Sequence, residues 1–275
     1  MALTDPTENA LDFLGGDRFK GYEADAQSFL ESQPFAALRV DGKGFSKLTR
    51  SKGYAVPYDY GFMGIMDHVA QSLLKLVDGA CVAYVQSDEV SVIFKPSGPP
   101  GDSNWWFGGK TQKLVSLSAA QASASFSLAE ALRSGSLDSE ALFDSRLIPL
   151  QSEEDAEEYL RWRRFDAQKN SISMAASSLF SHRELDGVSS RDRAEMLQGT
   201  ELERLPDGFF NGRLHYRLKT LGKAWNPALE QEVEVERTRL VSEPADREAV
   251  ENVLPQLLVH RAYSTGNPRV ATDRN

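Results

Sequence analysis

Two adjacent carboxylates, Asp88 and Glu89, interrupt an apolar segment of the chain, YVQSDEVSVIF. Nothing nearby in the sequence offers them an obvious basic partner. Another carboxylate, Asp41, ends the apolar run FAALRV and is followed by Gly42. Hard divalent cations such as Mg²⁺ prefer oxygen ligands of this kind. Asp41 and Asp88 are therefore candidate metal ligands, although Asp-Gly and Asp-Glu pairs also occur in plain turns.

The surrounding elements follow the order β-α-β-β-α-β between residues 35 and 150. FAALRV predicts a buried strand, and the hydrophobic spacing of YDYGFMGIMDHVAQSLLKLV predicts a helix that Asp59 caps. Residues 80–86 and 90–95 predict a hairpin, which an Ala/Ser-rich helix and the strand FDSRLIPL follow. This order predicts an α+β fold with a ferredoxin-type, palm-like core, additional helices and a C-terminal extension.

A palm core would bring Asp41 and Asp88 together, because its first strand and its hairpin are neighbours in the sheet. Two carboxylates at adjacent strand ends suit a pair of Mg²⁺ ions, about 4 Å apart, that bind the phosphates of a nucleotide. The two glycines of DGKGF, Gly42 and Gly44, let backbone amides turn towards a triphosphate. The sequence therefore predicts a nucleotidyl-transfer site.

The rest of the chain divides into segments around this core. Residues 1–34 form an N-terminal segment with a short helix, YEADAQSFLES, and residues 35–150 form the palm core. Residues 151–235 complete the catalytic domain with a long helix capped by Ser152, a helix stopped by Gly199 and late strands. Residues 236–275 form an extension whose helix is kinked or broken at Pro255 and whose last dozen residues are disordered.

Composition limits the functional classes. The chain has 275 residues, of which 41% are hydrophobic and 26% charged, and its formal net charge is −9. A negative net charge argues against a protein that binds nucleic acid through its overall charge, so any basic patch that binds it must be local. No signal peptide and no apolar run of about 20 residues is visible, which predicts a cytoplasmic protein without a membrane span. Cys81 is the only cysteine, so an intrachain disulfide is excluded.

Together these motifs resemble the tRNA(His) guanylyltransferase family, whose enzymes add nucleotides in the 3′-to-5′ direction. The resemblance starts with RVDGKGFSKLT, PYD and YVQSDEVSVIF. It continues through WFGGKTQKL, FDSRLIPL, YLRWRRFDAQKNSIS and EMLQGTELERLPDGFFNGRLHYRLK, in the family's order and approximate spacing. It covers roughly residues 20 to 220.

The resemblance implies specific roles for several residues. It implies that Asp41, Asp88 and the carbonyl of Gly42 hold two magnesium ions, and that Glu89 is an accompanying essential acid. It implies a homo-tetramer that acts on tRNA with GTP, ATP and other nucleoside triphosphates. The residues implied to contact the nucleotide, the lysines of GKTQK among them, are Gly42, Lys43, Gly44, Phe45, Ser46, Ser87, Lys110, Lys113 and Asn170. Without the resemblance, the two lysines would be interpreted as a solvated helix start.

Two departures from the family pattern point to a branch within it. Gln168 stands where the guanylyltransferases proper have a histidine, and Val56 stands where they have a basic residue. This pattern resembles the branch implied to repair the 5′ ends of tRNAs by template-directed addition, in place of single G addition to tRNA(His). The missing basic residue at Val56 bears on the 5′-activation step more than on the metal site.

Local basic patches are candidates for binding tRNA phosphates. They comprise Arg161, Arg163 and Arg164 in YLRWRRF, and Arg213, Arg217 and Lys219 in GRLHYRLK. For YLRWRRF the alternative is an aromatic core face with solvated arginines. Two other functions also fit the sequence: a palm-type nucleotidyl cyclase or signalling-nucleotide synthase, and an inactive RNA-binding homologue.

Overall fold

The computed structural model describes residues 16–98, 104–137, 140–259 and 263–264. The expected disorder of the last dozen residues falls almost entirely outside these ranges. Within them, no helix combines the length and the apolar character needed to cross a membrane.

The predicted βαββαβ core is present. Its elements are strand β1 (Phe35–Gly42), helices α2 (Phe45–Ser51) and α3 (Tyr60–Leu76), strands β2 (Ala80–Gln86) and β3 (Glu89–Phe94), helix α4 (Thr111–Ser134) and strand β4 (Phe143–Leu150). A short helix, α1 (Gly16–Asp25), precedes them. The four strands pair antiparallel in the order β4-β1-β3-β2, which is the order of a ferredoxin-type sheet.

The chain continues with long and short elements after the core. These are α5 (Glu153–Leu179), α6 (His182–Leu185), α7 (Ser190–Met196), α8 (Asp207–Asn211), β5 (Arg213–Asn226), β6 (Gln231–Pro244), α9 (Leu254–Val259) and β7 (Tyr263–Ser264). The Ser152 hydroxyl accepts a hydrogen bond from the Asp155 amide, as its cap position predicts. Strands β5 and β6 extend the sheet beyond β2, and β7 pairs with β5.

Helices cover both faces of the sheet. Leu38 and Val40 of β1 pack on one side with α3 and α4, whereas Ala37 packs on the other side with α5 and α9. This alternation follows from the period of two in a strand. Strands β2 and β3 are buried along their whole length, because they lie in the middle of the sheet and are covered on both faces.

Two sequence predictions about helices are wrong. The N-terminal helix covers Gly16–Asp25, not the predicted YEADAQSFLES, whose last residues approach α4 as irregular backbone. The C-terminal helix is not broken at Pro255. A π-helical turn, Ala249–Val253, leads directly into α9, which contains the proline. A wider turn before the proline accommodates the backbone bond that proline cannot make.

Strands β5 and β6 form a long hairpin. Arg213 to Tyr216 of β5 pair with β2, while the whole of β5 pairs with β6. Residue 235, after which the sequence suggests a C-terminal extension, lies inside β6. The hairpin therefore begins in the sheet and projects beyond it.

Candidate active site

The ends of β1 and β3 place Asp41 and Asp88 on neighbouring strands. Asp41 lies directly opposite Glu89, and the Gly42 amide donates a hydrogen bond of 3.1 Å to the Asp88 carbonyl. Ser87 forms the hairpin turn with a left-handed φ of 46°, which bends the chain at this point. The backbones of the two candidate metal ligands are thus joined, as the sequence predicts.

The two carboxylates affect each other electrostatically. Burial raises the pKa of Asp88, and the neighbouring charge of Asp41 raises it further. Within the described residues, neither aspartate forms a salt bridge with a cation, whereas the facing Asp144 on β4 pairs with Arg146 at 3.3 Å. Two close carboxylates without a compensating cation, beside a backbone carbonyl, fit the oxygen ligands of a divalent metal.

Protein side chains alone would not complete such a metal site. Within the described part of the chain, no three His, Cys, Asp or Glu side chains are grouped closely enough to hold a metal. The remaining ligands would have to come from the Gly42 carbonyl, water or phosphate oxygens. This donor set matches Mg²⁺, which usually binds one or two carboxylates together with substrate phosphates.

The turn after Asp41 has two positions that require glycine. A Cβ at Gly42 would lie 2.3 Å from the ring of Phe45, which is buried beneath it. Gly44 has a left-handed φ of 71°. The amides of Gly42 and Lys43 are occupied, by the carbonyls of Asp88 and Leu142. The prediction that amides from Gly42 onwards hold a triphosphate is therefore wrong for the first two.

Glu89 lies opposite Asp41 on the neighbouring strand, but its carboxylate is engaged by arginines. Its carboxylate accepts two hydrogen bonds from Arg163, at 2.8 and 2.7 Å, and lies 3.8 Å from Arg39. Burial raises the pKa of Glu89, although both arginines lower it. The expectation that no basic partner is near is wrong, since Arg163 arrives from α5. Glu89 thus fastens α5 to the sheet, and a direct catalytic role does not fit its contacts.

A cavity of about 180 Å³ opens beside Asp88. One wall consists of aromatic rings from the segment before α3, from α3 itself and from α8, namely Tyr54, Tyr58, Phe62 and Phe209. The hydroxyl of Tyr54 donates to the fully buried Glu130, which Arg133 also contacts at 2.8 and 2.9 Å. Such a cavity, mostly apolar with a few polar groups, is typical of a site for a small ligand.

Polar groups also line this cavity. They include Ser46, Gln86, Ser87, Asp88 and Asn170, so three predicted nucleotide contacts and one predicted metal ligand meet here. The aromatic wall and Gln86 were not among the predicted site residues. The density of aromatic residues in YAVPYDYGF is the sequence feature that could have indicated this wall.

Lys110 and Lys113 do not approach this site within the chain. The start of α4 is anchored by the Thr111 amide, which donates to the Ser28 carbonyl, and by the Trp105 ring, 5.3 Å from Phe94. Phe94 pairs with Ala36 at the beginning of β1, while Asp41 lies near its end. Five strand residues at about 3.4 Å each separate the two regions by roughly 17 Å along the sheet.

The predicted RNA-binding residues are engaged by groups of the same chain, and two of the six are buried. Arg163 and Arg213 are buried and paired with Glu89 and Asp67, so the prediction that they bind RNA phosphates is wrong. The remaining four cations also have partners in the chain: Arg161 with Glu157, Arg164 with Ala245 and Asn211, Arg217 with Leu74, and Lys219 with Glu236. The exposed side chains of this stretch of α5 include Trp162 and Phe165. The alternative of an aromatic core face therefore holds for Tyr159, which is buried, and is wrong for Trp162 and Phe165.

Comparison with known proteins identifies similar sequences and structures. A family model described as tRNAHis guanylyltransferase matches residues 16–151. A probable tRNA(His) guanylyltransferase of Mus musculus is 27% identical over 221 residues, which are 78% of this chain and 70% of that protein. A bacterial tRNA(His) guanylyltransferase-like protein, solved in complex with ATP, is 26% identical with a TM-score of 0.74. The match covers 89% of this chain and 99% of the other. A corresponding structure with GTP is 25% identical, with the same coverage and a TM-score of 0.69.

Proposed function

The chain belongs to the tRNA(His) guanylyltransferase family, and from this premise we propose that it adds nucleotides to the 5′ end of a tRNA. The enzyme is a nucleotidyltransferase, as its relatives are named. We propose tRNA as the acceptor, ATP and GTP among the donors, and growth in the 3′-to-5′ direction. The cytoplasm is the proposed location.

The observation that supports this function best is the junction of Asp41 and Asp88. The hydrogen bond between Gly42 and Asp88 holds these strand ends together, and the two carboxylates interact without a neutralising cation. Carboxylates left in this state favour a site that binds positive charge. The cavity for a small ligand begins at the same residue, Asp88.

Enzymes of this family use a divalent metal. We propose two Mg²⁺ ions, held by Asp41, Asp88 and the carbonyl of Gly42. When bound, such ions offset phosphate charge and lower the pKa of an attacking hydroxyl.

The chain positions the reactants. The amides of Gly44, Phe45 and Ser46 precede the first helical bond of α2, which Lys47 donates to Gly44, so they are placed to hold a triphosphate. The aromatic wall beside Asp88 would receive the base. The 3′-hydroxyl of the incoming nucleotide attacks the phosphorus of the activated RNA 5′ end, forms an ester bond and releases pyrophosphate or a mononucleotide. None of these contacts requires a side chain as a strong base.

We also propose that the protein is a homo-tetramer. Lys110 and Lys113 lie far from the site of their own chain, so they would contact a triphosphate only across a subunit boundary. This arrangement would account for basic residues of the nucleotide motif that fall at the far end of the sheet.

The test is nucleotide addition to a 5′-truncated tRNA and to tRNA(His) lacking its extra G, with nucleoside triphosphates and magnesium. We expect 5′ extension by the wild type and a loss on the order of 100-fold or more in Asp88→Asn. Asp144→Asn, which removes the exposed acid opposite Asp41, is the matched control and should keep its activity. Equal activity in Asp88→Asn, or a cyclic or oligomeric nucleotide formed without RNA, would overturn the proposal.

A further inference from the structure

Gln86 has a buried amide that the protein itself does not satisfy. It is the last residue of β2, is 8% exposed and lines the cavity beside Asp88. Its Oε1 atom has no hydrogen-bond partner, and among the buried side-chain nitrogen and oxygen atoms of the described ranges only Arg39 Nε and His215 Nδ1 share this property. A buried carbonyl without a partner costs about 1–3 kcal/mol, so such a group usually has a ligand or a water to bind.

The position of Gln86 relates it to both parts of the site. It faces Glu89 across the hairpin, and Ser87 and Asp88 follow it directly. The carboxylate of Glu89 is engaged with Arg163, and the amide of Asn170, on the facing helix, donates to Asp166 at 3.2 Å. Gln86 is therefore a buried group beside Asp88 whose side-chain oxygen is available to accept a hydrogen bond.

We propose that Gln86 hydrogen-bonds the N1 and 6-position edge of a purine held in this cavity, and that its amide rotates by 180° to take adenine or guanine. This assignment rests on the proposed function. A side-chain amide presents a donor and an acceptor side by side. Adenine presents an amino donor and the N1 acceptor, and guanine presents the O6 acceptor and the N1–H donor. The two edges match the two orientations of one amide, which differ only by a flip.

The experiment measures equilibrium binding, in magnesium, of ATP, GTP and purine riboside 5′-triphosphate, which lacks a substituent at position 6. We expect the wild type to bind ATP and GTP about tenfold more tightly than the analogue, the worth of about one hydrogen bond. In Gln86→Met, a substitution of similar size, all three should bind with dissociation constants within about twofold of one another. Its thermal stability without nucleotide should not fall, because the unsatisfied carbonyl is gone.

Gln121→Met, on the half-buried surface of α4, is the matched control and should keep the tenfold preference. Gln86→Leu repeats the measurement, so that a folding defect in one variant does not decide the result. A tenfold preference that persists in both Gln86 variants would overturn this assignment and leave the proposed function standing. A wild type that binds neither ATP nor GTP would overturn both.

Discussion

Asp88 and Glu89 are adjacent in the chain, yet their carboxylates have opposite surroundings. Burial, and then the charge of Asp41, raise the pKa of Asp88, which lines a cavity. Glu89 is buried against the paired guanidinium of Arg163. Buried charges are tolerated when they are paired and hydrogen-bonded. One acid is thus available for a ligand, while its neighbour joins a helix to the sheet.

Substituting Arg163 tests whether its buried ion pair with Glu89 stabilises the fold. Arg163→Met leaves the Glu89 carboxylate buried without a cation, so we expect the free energy of unfolding to fall by about 3–5 kcal/mol. Urea denaturation measures this change. Arg161→Met, two residues away, removes an exposed cation paired with Glu157 and should change stability by less than about 1 kcal/mol. Losses of similar size in both variants would contradict the assigned role of Glu89.

At the scale of elements, a buried cluster connects α3, α8 and β5. Arg213 on β5 contacts Asp67 on α3 at 2.6 Å and the Gly208 carbonyl on α8 at 3.4 Å. His215, which is fully buried, contacts the same Asp67 at 3.0 Å. Because α3 and α8 both contribute walls to the cavity, this cluster fixes their separation. Arg213 therefore holds the elements that form the cavity walls, whereas the sequence suggested that it contacts RNA.

The cluster should give the protein an acid-sensitive stability. Burial raises the pKa of Asp67, but the hydrogen bond with His215 and the charge of Arg213 outweigh it and hold the pKa below its usual value of 3.8. A depressed pKa favours folding while the group is charged, so this stabilisation is complete above about pH 4 and is lost as the pH falls through the folded-state pKa.

We therefore expect the free energy of unfolding to fall more steeply below about pH 4 in the wild type than in Asp67→Asn. Urea denaturation at a series of pH values measures the difference. Asp17→Asn, which alters an exposed ion pair with Lys20 on α1, should keep the slope of the wild type. Parallel curves for the wild type and Asp67→Asn would refute this account of the cluster.

At the scale of the whole molecule, the sheet has a buried centre and an exposed arm, which is the far half of the β5–β6 hairpin. The central strands are covered by helices on both faces, whereas the far half of the β5–β6 hairpin has exposed apolar side chains, among them Leu221, Trp225 and Leu229. Among the described residues, the strand pairing of that half joins β5 only to β6. The arm thus adds little to the core that positions the site.

Shortening the arm should leave the core intact. In the shortened chain, an Asn-Gly turn replaces residues 221–236 and connects Thr220 with Arg237, which face each other in the hairpin. We expect this chain to keep a cooperative thermal transition. We also expect its dissociation constant for ATP to lie within about twofold of the wild-type value. Calorimetry and nucleotide titration provide the readouts. A shortened chain that unfolds, or that loses ATP binding, would show that the arm supports the catalytic core.

The sequence by itself determined the order of elements, the strand Phe143–Leu150, the hairpin around Ser87 and the placement of Asp41 and Asp88 at neighbouring strand ends. These features depend on local patterns, because alternation, capping and turn residues act over a few positions. Even the meeting of the two aspartates follows from element order, since a βαββ unit places its first strand beside its hairpin.

Only the tertiary structure decided which charged side chains are inside. YLRWRRF contains aromatic and basic residues at nearly every position, and packing against the sheet turned Arg163 inward and Trp162 outward. Likewise, Arg213 meets Asp67, and Lys110 lies far from Asp41, through contacts between residues distant in the sequence. A buried ion pair needs two partners, and the pattern around either one alone does not contain the other.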